Sequence, residues 1–335
     1  MINQKRLIKT FIDLVKIDSE SRSEANVAKY IKNKLNKLGI KYKIDKSAVS
    51  TKSNHGNIIA RLGSDKKLPT ILLSSHMDTV TNGLGVKPVV KKQSITSDGT
   101  TILGADDKSG LAIILETLEV LKKKKLYHYN IEAAITTCEE IGLLGAKFLD
   151  YSLLNSKQGI VLDSTSPERL VYKGPSSDYF NIIVQGVEAH SGINPEKGIS
   201  SIAASAEIIS KMKTGRINSN TTINIGKING GSAINIVPGE TIISCEIRSH
   251  NEKTIKTEIN KIKKVIQNVN KKYKKINKKF NAKIKIERIY DSINIPKNSL
   301  VIKNILRTCK EHGYKINLVE TGGGADANFF VKNGV

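Results

Sequence analysis

The chain contains no tryptophan and only six phenylalanines, although its formal net charge is +23. Such a basic protein invites a nucleic-acid partner, because lysine and arginine release counterions from a phosphate backbone. Unpaired bases, however, need aromatic faces interleaved with the cations to stack on. Here the lysines run almost without them, as over residues 253–279. The charge reads as a solvated face that favours solubility and attracts acidic molecules, and no nucleic-acid partner is expected. Three cysteines, Cys138, Cys245 and Cys309, are odd in number and far apart, which excludes a disulfide framework and points to a reducing cytoplasm. No apolar run approaches the roughly 20 residues that span a bilayer. The N-terminal stretch carries a helical period and lacks a signal-peptide core, so neither a membrane partner nor export is expected. Seven prolines and 25 glycines beside 39% hydrophobic residues exclude collagen-like and disordered chains.

What is present is an alternation of elements. At 335 residues the chain exceeds what one core usually serves, and two domains are expected. Leu7, Phe11, Leu14 and Val15, then Val27, Ile31, Leu35 and Leu38, recur at helical spacing, and Gly39 ends the second set. Short apolar runs at 57–62, 70–75, 131–136 and 159–162 read as strands, with a helix over 111–121 between them. Strands alternating with helices predict an α/β domain whose mostly parallel sheet is flanked by helices. Beyond Gly174 the pattern turns to strand 178–185, helix 196–212, strands 221–228 and 241–247, helix 252–273 and strand 282–288. That order predicts an inserted α+β unit of ferredoxin-like type. The expected division is therefore 174–288 for the insert and 1–173 with 289–335 for the main domain, to which helix 300–312, a run at 316–319 and the turn Gly322–Gly324 return the chain.

Residues able to do chemistry lie just past strand ends, where α/β sheets gather their sites. His76 and Asp78 in SSHMDTV face the same side of an extended chain, so one can bind a metal while the other orients the imidazole. Asp106 and Asp107 in GADDKSG open a helix starting near Lys108, a place the helix dipole favours for acids without any function. Glu139 and Glu140 in TTCEEIG are adjacent carboxylates that repel unless a cation holds them. Asp163 in IVLDST ends another strand, where a turn or cap role would serve as well. Singly each has an ordinary explanation. Together they converge on one sheet edge, and imidazole and carboxylate ligands without thiolate suit zinc, manganese or cobalt.

The motifs SSHMDTV, GADDKSGLA, CEEIGLLGA and VLDST, in this order, resemble the dizinc exopeptidase family of aminoacylase, carboxypeptidase G and peptidase T. GVEAHSGINPEKGISSI, INIVPGE and CEIRSH resemble its lid and dimerisation domain, and TGGGADANFF its glycine-rich substrate loop. The likeness spans nearly the whole chain, and the GADDK and GGGADAN wording is nearest the peptidase T branch. It implies a homodimer formed through the lid, acting on short peptides with two Zn2+ ions. By the same resemblance His76 and Asp163 bind one metal, Asp106 bridges, Glu140 binds the second, Asp78 orients His76, and Glu139 is the general base. It further implies that His190 reaches the neighbouring subunit's site, and that Asn235, Arg248 and the amides of Gly322, Gly323 and Gly324 hold substrate. As a lone residue His190 also reads as an ordinary surface histidine, and the glycine run as a tight turn.

Family members continue past the glycine-rich loop with a strand and helix carrying a last histidine ligand. This sequence stops at Val335 with His312 as its last histidine. The expectation is a second metal position one ligand short, and a poorly active polypeptide. The motifs do not separate an aminopeptidase from an N-acyl amino acid amidohydrolase, and a non-catalytic pseudoenzyme is the remaining alternative.

Overall fold

Leu14 and Val15 are buried on α1 (Gln4–Val15), with Leu7 and Phe11 packed beside them as the spacing predicts. Asn3 caps the helix by accepting from Arg6 N. Val27, Ala28, Ile31 and Leu35 form the buried stripe of α2 (Ala25–Lys37), which ends at Gly39 with φ +61, a conformation glycine adopts without strain. The computed structural model describes residues 2–63, 65 and 67–335. These divide into two units, 1–170 with 296–318 and 325–335, and 171–295 with 319–324.

In the first unit, β1 (Lys41–Ile44), the short helix α3 (Ser47–Thr51), β2 (Ile58–Leu62) and β3 (Thr70–His76) follow α2. After the hairpin β4 (Pro88–Val90) and β5 (Ile95–Ser97) come α4 (Ala105–Lys124), β6 (Asn130–Thr136), α5 (Leu144–Lys147) and β7 (Gly159–Val161). The main sheet has the order β1-β2-β6-β3-β7. It is mixed: β3 runs parallel to both β6 and β7, while β1–β2 and β2–β6 are antiparallel. Within this sheet, parallel pairing is thus confined to the strands that carry the candidate ligands. Because side chains alternate along a strand, Ile71 and Leu73 join the core under α1, α2 and α4, whereas Leu72 joins Ala134, Leu149 and Phe330 in a separate cluster. The register pairs His76 with Thr136 and Ser74 with Val161. The carboxyl ends of β3, β6 and β7 therefore share one edge.

The second unit begins in β8 (Arg169–Gly174) and builds an antiparallel sheet from β9 (Ser176–Gln185), β10 (Gly215–Asn218), β11 (Thr221–Gly230), β12 (Glu240–Ser249) and β13 (Asn281–Tyr290), in the order β10-β11-β12-β9-β13. Helices α6 (Ser201–Ser210) and α7 (Glu252–Lys274) bury Ala204, Ile208, Ile255, Ile259, Ile262 and Ile266 in its core with Phe180 and Phe280. Helix α6 starts later than the predicted 196, since residues 195–197 form a 3-10 turn behind Pro195 and Ser200 caps the helix by accepting from Ala203 N. The strand β14 (Ile293–Asn294) pairs with β8. Helix α8 (Leu300–Glu311), strand β15 (Asn317–Glu320) and helix α9 (Ala327–Lys332) complete the order. Among the described residues no helix is long and apolar enough to cross a membrane.

Candidate metal centre

Each candidate ligand enters the first unit's sheet edge from a different segment. His76 is the last residue of β3, 2% exposed, and its Nδ1 donates to the carbonyl oxygen of Asp78 at 2.9 Å. A carbonyl can only accept, so this bond leaves Nε2 as the nitrogen able to bind a metal. Nε2 lies 3.1 Å from Asp106 Oδ1. Asp106 and Asp107 have non-helical backbone angles within α4, so the regular helix starts at Lys108, as the sequence suggests. Close packing brings that helix start to β7: a side chain on Gly110 would come within 2.6 Å of both Asp107 oxygens and 2.7 Å of the Leu162 carbonyl, one residue before Asp163.

Two triads form. The ligand atoms of His76, Asp106 and Glu140 lie within 4.8 Å of one another, as do those of His76, Glu139 and Asp163. His76 is common to both. Asp78 is not a member: its fully buried carboxylate accepts from Ser21 Oγ at 2.7 Å and from the backbone N–H groups of Glu139 at 3.0 Å and Glu140 at 3.2 Å. It therefore ties the β3 end to the turn bearing both glutamates.

The charges are unbalanced. Burial pushes the Glu139 carboxyl up to about 9, helped by the charge of Asp326, and pushes Glu140 up to about 7, helped by Asp106. Asp163 is raised by burial and by Asp106. Asp106 is lowered by its hydrogen bond to His76 despite partial burial. Burial opposes the charged imidazole, yet hydrogen bonds to Asp106 and Asp78 and the surrounding acids hold His76 well above its ordinary value. So many carboxylates around one imidazole favour a bound cation, which would reverse these shifts. Two buried oxygens, Asp107 Oδ2 and Asp326 Oδ1, also lack a hydrogen-bond partner among the described residues. The donor set is imidazole and carboxylate, with the Cys138 thiol turned to Glu24 instead. It fits a zinc-like divalent ion.

Sequence reasoning gave no site role to Asp326, Asp107 or Lys108. Asp326 is 2% exposed, accepts from Thr136 Oγ1 at 2.5 Å, and is pushed up to about 7 by burial. It sits inside the quoted GGGADAN motif, where an acid flanked by small residues was the available signal. Burial pushes Asp107 up to about 7 and lowers Lys108 to about 8, with the Lys108 ammonium donating to Ser19 Oγ and the Met77 carbonyl.

The remaining expected residues belong to the second unit. His190 is exposed, its Nδ1 accepts from Gly192 N at 3.2 Å, and Asn235 is an exposed neighbour whose carbonyl accepts from Ser191 N at 3.0 Å. Arg248 is half-buried on β12, donating from Nε to Glu246 at 2.8 Å and from Nη1 to the Gly322 carbonyl at 3.3 Å. Gly323 N donates to Thr321 Oγ1 at 3.1 Å, and a side chain on Gly324 would strike the Tyr290 ring at 2.4 Å.

Known proteins resemble this chain in sequence and fold. Residues 176–274 match the peptidase dimerisation domain of the M20 peptidases, and residues 57–184 match peptidase family M28. The uncharacterised protein YqjE of Bacillus subtilis is 38% identical over 336 residues, covering 100% of this chain and 89% of that one. The aminopeptidase PepT of Bacillus cereus ATCC 10987 superposes with a TM-score of 0.87 at 38% identity, over 99% of this chain and 88% of that one. A tripeptidase of Staphylococcus aureus gives 0.91 at 37% identity, over 100% and 89%. With the imidazole and carboxylate cluster in place at the sheet edge, the chain belongs to the M20 family of metallo-exopeptidases, alongside aminoacylase, carboxypeptidase G and peptidase T.

Proposed function

We propose that this chain is a tripeptidase-like aminopeptidase, which hydrolyses the first peptide bond of short peptides with two divalent cations, zinc by its donor set or else manganese or cobalt. The observation that carries the reading is the pair of triads sharing His76 at one sheet edge. The names aminopeptidase and tripeptidase borne by two similar structures support the substrate class.

We assign His76 and Asp163 to one cation, Asp106 to both, and Glu140 to the other. Bound there, the cations supply polarisation of the scissile carbonyl and acidification of the attacking water. The remaining steps belong to side chains. Asp78 keeps the imidazole of His76 fixed from behind. Glu139, a buried carboxylate within reach of His76 and Asp163, takes the water's proton at its carboxylate and passes it to the leaving amine nitrogen. His190 of a second subunit, brought by the dimerisation domain, donates to the oxyanion. The Arg248 guanidinium grips the peptide carboxylate, since its planar fork matches two oxygens. Asn235 and the amides of Gly322, Gly323 and Gly324 align the backbone. The free cysteines accord with the reducing cytoplasm in which we place the protein.

Turnover of an unblocked tripeptide, compared with an N-acetyl amino acid, tests the reading together with metal content per chain. Preference for the tripeptide with divalent metal bound supports it. Cleavage of the N-acetyl compound alone assigns the chain to the deacylases, and absence of bound metal with no turnover of either compound assigns it to the pseudoenzymes.

A further inference from the structure

We propose that Glu24 is a positioning residue for the turn that carries Glu139 and Glu140, an inference that rests on Glu139 serving as the base. Glu24 immediately precedes α2, is fully buried, and lies 114 positions from Cys138 in sequence. Its Oε1 accepts from Cys138 N at 3.0 Å and from the Cys138 thiol at 3.3 Å. The next two amides, of Glu139 and Glu140, are taken by Asp78. Two buried carboxylates thus hold three consecutive backbone N–H groups of the turn. Bonds from N–H groups to ionised acceptors are among the stronger ones available to a backbone.

The turn needs such support. Cys138 has φ 53, the left-handed region that a residue with a side chain seldom adopts, and such a conformation persists when its surroundings over-determine it. Glu24 is itself anchored: Oε1 accepts from Arg22 N at 3.0 Å, Oε2 accepts from Ser53 Oγ at 2.5 Å, and Ser53 Oγ accepts from His55 N at 3.1 Å. Its neighbours brace the other ligand segments, Ser21 through Asp78 and Ser19 through Lys108. The segment 19–24 therefore backs the ends of β3, α4 and β6 at once. Glu24 acts through the backbone of Cys138 and touches none of the assigned ligands.

Glu24→Ala and Glu24→Gln in the metal-loaded full chain test the role by amide hydrogen exchange over residues 137–142, metal content, and kcat and KM on an unblocked tripeptide. In Glu24→Ala the amides of residues 138–140 exchange at least about tenfold faster while β6 does not. Its kcat falls about 10–100-fold with KM within about twofold and metal content at the parent level, as a small displacement of a catalytic group produces. Glu24→Gln keeps the Oε1 acceptor and retains kcat within about threefold. Should Glu24→Ala not fold, Ser53→Ala frees Oε2 together with the His55 amide, leaves Oε1 in place, and raises exchange at residue 138 about threefold. Unchanged exchange at 138–140 in the folded variant overturns the proposal, as does activity lost only in proportion to lost metal. Exchange is read without substrate, so a parent chain that cleaves no tripeptide sinks the functional reading, while faster exchange at 138–140 in Glu24→Ala still supports the hold of Glu24 on the turn and unchanged exchange still overturns it.

Discussion

The carboxylate of Asp78 lies against the imidazole of His76, Oδ1 to Nδ1 at 3.4 Å, while the same carboxylate receives the amides of Glu139 and Glu140. One side chain therefore touches both the imidazole of His76 and the turn that carries Glu139 and Glu140. Burial disfavours its charge, but the His76 hydrogen bond and charge, Ser21 and the Glu139 amide together hold its carboxyl below the ordinary value. Asp78→Ala is expected to lower activity or metal affinity by roughly 10–100-fold, the usual effect of removing a residue that orients a ligand. Metal titration beside steady-state kinetics checks this, and parent values for both contradict it.

Glu139→Gln and Glu140→Ala should fail differently. Replacing the base removes proton transfer and should lower kcat by about 100-fold or more with metal retained. Removing Glu140 should deplete metal, because Asp106 is then the one assigned ligand left to that cation. Elemental analysis of both variants beside kinetics separates the two; metal retained in Glu140→Ala and lost in Glu139→Gln would reverse the assigned roles.

Stability of the metal-free protein should decline as pH rises. Burial holds Glu139 up to about 9 and Glu140, Asp107 and Asp326 up to about 7, while in the unfolded chain such groups titrate near pH 4. Between roughly pH 4 and 9 the native state thus binds more protons than the unfolded one, and stability falls across that window. His76, raised in the fold, acts in the same direction: its contribution is complete below its unfolded value and is lost as pH rises through the folded one. Glu116, which burial disfavours but Arg6 pulls down, acts in a separate acid window, losing its contribution as pH falls through its lowered value. Thermal melting after chelation should show a falling Tm from pH 5 to 9. Zinc at 100 times its Kd should restore about 2.7 kcal/mol, and at one fixed zinc concentration the gain should grow with pH as fewer protons compete. A flat Tm across this range contradicts the unbalanced cluster.

Gly110→Ala should destabilise the protein although alanine favours helices by about 1 kcal/mol. The new methyl would meet Asp107 and the Leu162 carbonyl at 2.6–2.7 Å, and overpacking of this kind costs about 1–3 kcal/mol. A lower Tm with reduced kcat is expected; a raised Tm would show that the helix start can yield.

The sequence by itself determined the strand ends. Short apolar runs stop at His76, before Glu139 and before Asp163, and that local pattern was enough to put the acids and the imidazole on one edge. It also determined that α2 stops at Gly39. The mixed pairing of the sheet was not legible, because apolar runs encode burial and not strand direction: β1 and β2 turn out antiparallel to their neighbours. Nor were Glu24 and Asp326. Each is a single acid whose partner lies far along the chain, at Cys138 for one and at Thr136, 190 positions away, for the other. Periodicity and spacing are local quantities, whereas a buried carboxylate is fixed by whichever donors the tertiary fold brings to it. Only the folded chain decides that.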